Sequence, residues 1–136
     1  MSTATELNIQ AIAEEYSAAW AARDPERIAL LHAEDTEFWL HLGTEPVRGR
    51  EAVRAEFANI FEQFPNYGFE TYRMFFGADH WVLDWVLTAD LPEADGGVRP
   101  IRFDCVDIVT VTPDGLVQRK DTFIDAAQMN AALGLD

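Results

Sequence analysis

With 136 residues, 49 % of them hydrophobic and 12 % aromatic, the chain has enough apolar side chains to fill the core of a single domain spanning residues 1–136. This composition excludes a disordered chain and a small disulfide-held scaffold. The formal net charge of −14 argues against nucleic acid and membrane as partners, because both attract basic surfaces.

The N-terminal part of the chain carries an amphipathic helix pattern. Ser2 and Thr3 are suited to cap a helix that runs to about Arg23. Apolar residues recur at helical spacing along one face of this helix, and Tyr16 lies at the centre of that face. Since a buried phenol needs a hydrogen-bond partner, we expect Tyr16 to bond to a polar group in the core.

A second helix, a strand and a third helix follow. Asp24 is a suitable N-cap for a short helix that begins at Pro25. A strand is predicted around Phe38 to Leu42, and the glycine- and proline-containing stretch 43–49 ends it. The next apolar stripe predicts a helix from about Arg50 to Gln63.

The second half of the chain alternates apolar and polar residues with a period of two. Four strands are predicted, at Phe69 to Phe76, His80 to Thr88, Ile101 to Val111, and Leu116 to Ile124. A last helix is predicted from Ala126 to Leu133. The short turns between the strands favour antiparallel neighbours. The fold class is therefore α+β, with three N-terminal helices packed on one face of a curved antiparallel sheet.

One strand carries an acidic residue on an otherwise apolar face. Ile101, Cys105 and Val109 share this face with Asp107, so we expect the carboxyl group to be buried. A buried carboxyl either finds hydrogen-bond donors, or its pKa rises until it is protonated at neutral pH. The alternation leaves both outcomes open.

The preceding strand gives two opposite interpretations. Alternation sends Trp81 and Trp85 to the core and Asp84 to the solvent side. If Asp84 instead faced the helices, it would be a candidate for acid/base chemistry, and the tryptophan face would need a partner subunit to cover it.

Other features bear on compartment and cofactors. Cys105 is the only cysteine and is expected to be a buried structural thiol. The N-terminus has no export signal pattern and the sequence has no apolar run long enough to span a membrane, which favours the cytoplasm. The three histidines are scattered, so we expect no metal and no cofactor.

The element order resembles that of a known superfamily. Helix 1 reads Tyr16-Ser-Ala-Ala-Trp20-Ala-Ala-Arg-Asp24, and a Gly43-Thr-Glu-Pro-Val-Arg-Gly49 loop precedes the third helix. With its αα-β-α-ββββ order, the chain resembles the nuclear-transport-factor-2-like superfamily, and within it the ketosteroid isomerases and SnoaL-type polyketide cyclases. The resemblance implies a cone-shaped fold around an apolar pocket, and a homodimer that forms through the outer sheet face.

The resemblance also implies roles for individual residues. Tyr16 matches the oxyanion-hole tyrosine of the isomerases, and Asp107 matches their protonated aspartic acid. Leu40 stands where the isomerases have their catalytic base, with His41 beside it on the opposite strand face. On the last strand, Thr122 matches the position of an acidic residue of the cyclases and hydrolases.

A shift of one residue along the last strand would put Asp121 in the pocket instead of Thr122. The sequence therefore leaves these two residues as alternatives for the same place.

These observations predict a small cofactor-independent isomerase, cyclase or lyase that polarises a lipophilic carbonyl compound through a Tyr16/Asp107 pair. The alternative is a non-catalytic dimeric protein that binds a hydrophobic ligand or supports a partner. The candidate catalytic residues are Tyr16, Asp107, Asp84 and His41, and the candidate substrate-binding residues are Trp20, Phe38, Leu40, Phe57, Phe61 and Thr122.

Overall fold

The computed structural model describes residues 7–135, which form four helices and six strands. The helices are α1 (Ile9–Ala21), α2 (Pro25–Leu30), α3 (Arg50–Gln63) and α4 (Ala126–Leu133). The strands are β1 (His32–His41), β2 (Val47–Arg48), β3 (Gly68–Phe76), β4 (His80–Pro92), β5 (Val98–Val111) and β6 (Val117–Ile124). They lie in one curved, unclosed sheet in the order β2-β1-β6-β5-β4-β3, which confirms the α+β fold class.

Local capping determines where the first two helices begin. Helix α1 starts after Asn8, whose side chain accepts a hydrogen bond from the backbone N–H of Ala11 at 3.0 Å. The predicted caps Ser2 and Thr3 lie outside the described residues. Asp24 caps α2 as predicted, by accepting from the backbone N–H of Arg27 at 3.1 Å. No helix within residues 7–135 is both long enough and apolar enough to cross a membrane.

Strand β1 differs from its prediction in length and direction. It begins at His32, well before the predicted Phe38. Two of the three buried side chains in its first half, His32 and Thr36, are polar, so the sequence pattern did not indicate a strand there. It pairs with β2 in the antiparallel sense and with β6 in the parallel sense, so the sheet is not antiparallel throughout. The parallel pairing is possible because α3 and four strands, β2 to β5, separate β1 from β6 in the chain.

Strand β4 follows the simple alternation. Trp81 and Trp85 are 1 % and 5 % exposed and belong to the core cluster with α1, whereas Asp84 lies on the outer face of the sheet. The alternative with an outward tryptophan face is wrong. Burying two indole rings against the helices removes far more apolar surface from water than burying one carboxyl would.

Candidate active site

The concave face of the sheet holds two adjacent pockets that share four lining residues, Trp20, Tyr67, Trp85 and Lys120. We call them together the central cavity. The first lobe, which Asp107 also lines, has a cavity volume of about 20 Å³ and the second lobe about 40 Å³, so the aromatic side chains must move to admit a ligand larger than water. Most of the wall is aromatic or aliphatic, as in sites for apolar ligands.

Asp107 has two hydrogen-bond donors in this cavity. Lys120 Nζ donates to Oδ2 at 2.8 Å, and Thr122 Oγ1 donates to Oδ1 at 2.8 Å. Thr122 lies directly opposite Asp107 across β5 and β6, and Lys120 precedes it by two residues on the same face of β6. Of the two outcomes that the sequence left open for Asp107, the structure therefore has the one in which the buried carboxyl group accepts from nearby donors.

Lys120 is a buried ammonium group, with a side chain that is 6 % exposed. Burial acts to lower the pKa of Lys120, but the charge and the hydrogen bond of Asp107 outweigh it, so the pKa is raised above its ordinary value. Nζ also lies 5.2 Å from the ring centroid of Tyr16 and 5.0 Å from that of Trp20. Lys120 therefore remains charged at neutral pH between two aromatic rings of α1.

Tyr16 bonds to a histidine and not to Asp107. Its Oη lies 2.8 Å from Nε2 of His32, and Nδ1 of His32 lies 2.8 Å from Oγ1 of Thr36. The Thr36 hydroxyl in turn lies 3.1 Å from the carbonyl oxygen of Gln118, to which it can donate. Three buried side chains thus connect the cavity wall at α1 to the backbone of β6.

His32 is neutral in this environment. Burial lowers its pKa from 6.5 to about 3, and the positive charges of Lys120 and Arg50 act in the same direction. The pKa of Tyr16 is raised by burial, which outweighs the opposing charge of Lys120. The Tyr16–His32 contact is therefore a hydrogen bond between two neutral groups at physiological pH.

Two indole groups of the cavity have buried N–H donors without a partner in the described part of the chain. They are Nε1 of Trp20 and Nε1 of Trp85, and both side chains line both lobes. Leaving a buried donor unpaired costs about 1–3 kcal/mol. The cavity wall therefore offers two indole N–H donors in addition to the ammonium group of Lys120.

The match to a known protein family covers most of the chain. A family model described as a SnoaL-like domain matches residues 13–120. The chain belongs to the SnoaL-like domain family. This confirms the resemblance to the nuclear-transport-factor-2-like superfamily. No curated protein matches the chain.

Solved structures share the SnoaL-like fold at low sequence identity. A protein from Shewanella denitrificans assigned as a SnoaL-like polyketide cyclase has 17 % identity and a TM-score of 0.81, over 96 % of this chain and 100 % of that chain. A Catenulispora acidiphila protein with a ketosteroid isomerase-like fold, crystallised with trimethylamine, has 18 % identity and a TM-score of 0.79, over 92 % of this chain and 93 % of that chain.

A third structure is SalBIII, described as an epoxide hydrolase/cyclase-like enzyme in pyran ring formation of the polyether salinomycin. It has 17 % identity and a TM-score of 0.75, over 88 % of this chain and 92 % of that chain. At such identities the likeness shows the fold alone, and activity must be argued from the site.

The arrangement expected from the isomerases differs from this SnoaL-like cavity in one essential contact. Tyr16 and Asp107 both line the first lobe, but they do not bond to each other. The resemblance implied that Asp107 is protonated and donates to a ligand oxygen, and this part is wrong, because both oxygens of Asp107 accept from Lys120 and Thr122. The phenol of Tyr16 has His32 as its partner.

Two other candidate catalytic residues lie outside the cavity. Asp84 is on the outer face of the sheet, where it accepts a hydrogen bond from Arg73 Nε at 2.9 Å. His41 is on the outer side of β1, stacked on Phe123 and 2.8 Å from Oδ1 of Asp121. Strand alternation places both side chains opposite to the pocket, so neither can reach a ligand in the central cavity.

The last strand has the register predicted for Thr122. Thr122 is 5 % exposed and lines the second lobe, and Asp121 bonds to Arg119 and His41 on the outer face. The alternative that puts Asp121 in the pocket is wrong for this register.

The candidate substrate-binding residues divide into two groups. Trp20 lines both lobes, and Phe38 and Leu40 line the second lobe. Phe57 and Phe61 instead pack on Trp20, with ring centroids 4.8 and 5.2 Å from its centroid. Neither Phe57 nor Phe61 lines the cavity. Both rings pack against the Trp20 ring and support this part of the cavity wall.

Sequence reasoning did not identify Lys120, His32 or Tyr67 as site residues. The signal for Lys120 was present, since it lies two positions before Thr122 and shares its strand face. His32 had no comparable signal, because the predicted β1 began after it. Tyr67 lies in the predicted break after α3, where no periodicity indicates which way a side chain points.

Proposed function

We propose that the protein is a cofactor-independent isomerase, cyclase or lyase that acts on a lipophilic carbonyl compound in the central cavity. The observation that carries the proposal is Lys120, a buried ammonium group that lines both lobes of an otherwise largely apolar cavity. An ammonium group has three N–H donors, and Asp107 uses one of them. The others are available for a carbonyl oxygen.

In this proposal Asp107 is the proton carrier. Its carboxylate removes a proton from the carbon next to the substrate carbonyl, and the released electron pair moves onto the carbonyl oxygen, forming an enolate. The Lys120 ammonium stabilises that developing negative charge in a dry site, where such contacts are strongest. With a β,γ-unsaturated carbonyl compound the intermediate is a dienolate, and return of the proton from Asp107 to its γ-carbon completes an isomerisation.

Cyclisation would use the same enolate. Its carbon attacks a second carbonyl of the substrate, a carbon–carbon bond forms, and Asp107 returns its proton to the new alkoxide. The pair as a whole is neutral, so the site favours an uncharged substrate that acquires negative charge only in the transition state.

Exchange of deuterium into a simple ketone tests this mechanism without knowledge of the natural substrate. The probe is 2-tetralone in D₂O, with loss of the α-proton signal followed by NMR. Wild type should accelerate exchange above the buffer rate, and Lys120→Met and Asp107→Asn should each reduce that acceleration by about 10²–10³-fold. Asp84→Asn is the matched control, since that carboxylate lies on the outer face and should leave exchange unchanged.

A non-catalytic binding protein is the second candidate, favoured by the fact that both oxygens of Asp107 already accept hydrogen bonds. Such a carboxylate is a weaker base. If calorimetry shows that 2-tetralone binds, while wild type exchanges its protons no faster than buffer does, the binding-protein candidate replaces the enzyme.

We also propose that the partner is a second copy of this chain, bound at the outer sheet face. Support comes from apolar side chains that remain exposed there, among them Phe123 at 42 % and Ile108 at 38 %. Ion pairs such as Arg73–Asp84 and Arg119–Asp121 surround them and leave little net charge on this part of an otherwise acidic chain. Sedimentation velocity of the purified protein tests the proposal, with a dimer mass expected.

A further inference from the structure

We propose that Tyr16 is a hydrogen-bond acceptor for a hydroxyl group of the ligand, and that His32 is the positioning residue that fixes this role. The inference rests on the proposed function for the carbonyl site at Lys120 and adds a second recognition point to it. The ligand class becomes a lipophilic carbonyl compound that also carries a hydroxyl group. The positions of the protons along the hydrogen bonds from Tyr16 through His32 and Thr36 to Gln118 determine this role.

The end of that chain determines the direction. The Gln118 carbonyl oxygen can only accept, so the Thr36 hydroxyl, 3.1 Å away, donates to it. The same hydroxyl then accepts from Nδ1–H of His32 at 2.8 Å. Neutral His32 carries one ring proton, so Nε2 has a free lone pair and accepts from the Tyr16 hydroxyl at 2.8 Å. All three contacts are satisfied in this arrangement.

The opposite tautomer satisfies fewer groups. With the proton on Nε2, His32 would donate to Tyr16, and the Thr36 hydroxyl would turn from Gln118 to Nδ1. The Tyr16 proton would then need an acceptor in the cavity. Lys120 Nζ, 5.2 Å from the centroid of its ring, is a donor only. This tautomer also loses the hydrogen bond from Thr36 to the Gln118 carbonyl.

The consequence for recognition follows from the favoured tautomer. The single proton of Tyr16 is used by His32, so its oxygen offers only lone pairs, either to the neighbouring donors Lys120 and Trp20 or to a ligand that enters the first lobe. Lys120, which lines the same lobe, offers only N–H donors. A ligand that matches both has an acceptor oxygen for Lys120 and an O–H for Tyr16. A hydroxyl group near the carbonyl meets this requirement, whereas an ether or a plain ketone does not.

The tautomer can be read directly in the wild-type protein. With ¹⁵N-labelled histidine, long-range ¹H–¹⁵N correlation spectra distinguish Nδ1–H from Nε2–H imidazole, and His41→Gln and His80→Gln variants assign the remaining signal to His32. We expect the Nδ1–H form of His32 between pH 5.5 and 8, a working range that lies above its pKa of about 3. An Nε2–H form or an imidazolium would overturn the inference. A His32 substitution is less informative, since it removes a wholly buried side chain.

A matched ligand pair tests the recognition itself. The probes are 2-naphthol and 2-methoxynaphthalene, which differ in the hydroxyl proton while both keep an oxygen that can accept from Lys120. Wild type should bind 2-naphthol more tightly by about tenfold, the effect of one hydrogen bond to a buried partner, measured by calorimetry. In Tyr16→Phe this preference should vanish. Equal preference in wild type and Tyr16→Phe would overturn the proposal.

Tyr67→Phe is the control for loss of a cavity hydroxyl, because Tyr67 also lines both lobes. Tyr67→Phe should keep the wild-type preference for 2-naphthol. Loss of that preference in Tyr67→Phe would assign the acceptor role to Tyr67 and overturn the inference. These measurements do not depend on turnover. If 2-tetralone exchange fails while the preference is present, the carbonyl chemistry is wrong and the hydroxyl site stands.

Discussion

Lys120 Nζ lies 2.8 Å from Asp107 Oδ2, and the two side chains are 6 % and 4 % exposed. Their strands β5 and β6 are neighbours in the sheet, so the pair is built into the backbone register and does not depend on a loop. A charge pair in such an apolar place gains little net stability, because removing two charges from water costs about as much as their attraction returns.

The stability of the pair can be tested by a double-mutant cycle. Lys120→Met leaves Asp107 as an unpaired buried carboxylate and should lower the free energy of unfolding by about 3–5 kcal/mol. The double variant Lys120→Met/Asp107→Leu removes both charges and should recover most of that loss. Urea unfolding measures both. If the double variant were as unstable as the single variant, Lys120 would stabilise the fold mainly through packing and not through the charge of Asp107.

The exposed pair Arg73–Asp84 is the comparison, since the Arg73 side chain is 67 % exposed. Arg73→Met should change the free energy of unfolding by less than about 1 kcal/mol.

Thr122 should support the proposed activity through Asp107. Thr122→Val keeps the side-chain shape but removes the hydroxyl that donates to Oδ1 of Asp107 at 2.8 Å. Asp107 then loses one of its two donors. We expect the rate of 2-tetralone exchange to fall by about three- to tenfold, as for the loss of one hydrogen bond. Thr122→Ser retains the hydroxyl and should behave as wild type. Equal effects of Val and Ser would show that the methyl group matters, not the hydrogen bond.

The lowered pKa of His32 predicts that the protein loses stability in mild acid. Burial lowers its pKa from 6.5 to about 3, so between those values the unfolded chain binds a proton at His32 that the folded protein does not. The contribution of His32 is therefore complete above pH 6.5 and is lost as the pH falls, by about 1.4 kcal/mol per pH unit.

Urea unfolding at several pH values between 4.5 and 7.5, a range chosen to cover this loss, measures the effect. His80→Gln, which removes an exposed histidine, should leave the pH dependence almost unchanged. A His32→Gln variant that remains folded should have a flatter dependence than wild type. An equally steep dependence in His32→Gln would assign the acid sensitivity to other groups.

The proposed dimer should depend on the centre of the outer sheet face. Ile108 lies there between Val82 of β4 and Asp121 of β6, and it is 38 % exposed. Ile108→Glu should convert the dimer to a monomer, because burying a carboxylate in an interface without a partner is strongly unfavourable. Sedimentation velocity measures the mass. Leu30→Glu, at an exposed apolar position on α2, is the control and should remain dimeric.

Much of the fold was predictable because it depends on local patterns. Helices α3 and α4 have the predicted bounds, since caps and apolar spacing act within a few residues. The burial of Asp107 at 3 % was predicted from strand alternation alone. Strand β1 was predicted too short, because its first half carries buried polar residues that do not look like a strand.

The partners in the cavity depend on contacts that sequence spacing does not contain. The sequence by itself determined that an acidic residue of β5 and a tyrosine of α1 would be buried, since each follows from the period of its own element. Only the tertiary structure decided that Asp107 meets Lys120 and that Tyr16 meets His32. The first contact depends on the register of β5 against β6, and the second on the tertiary packing that brings the Tyr16 side chain of α1 to the first residue of β1.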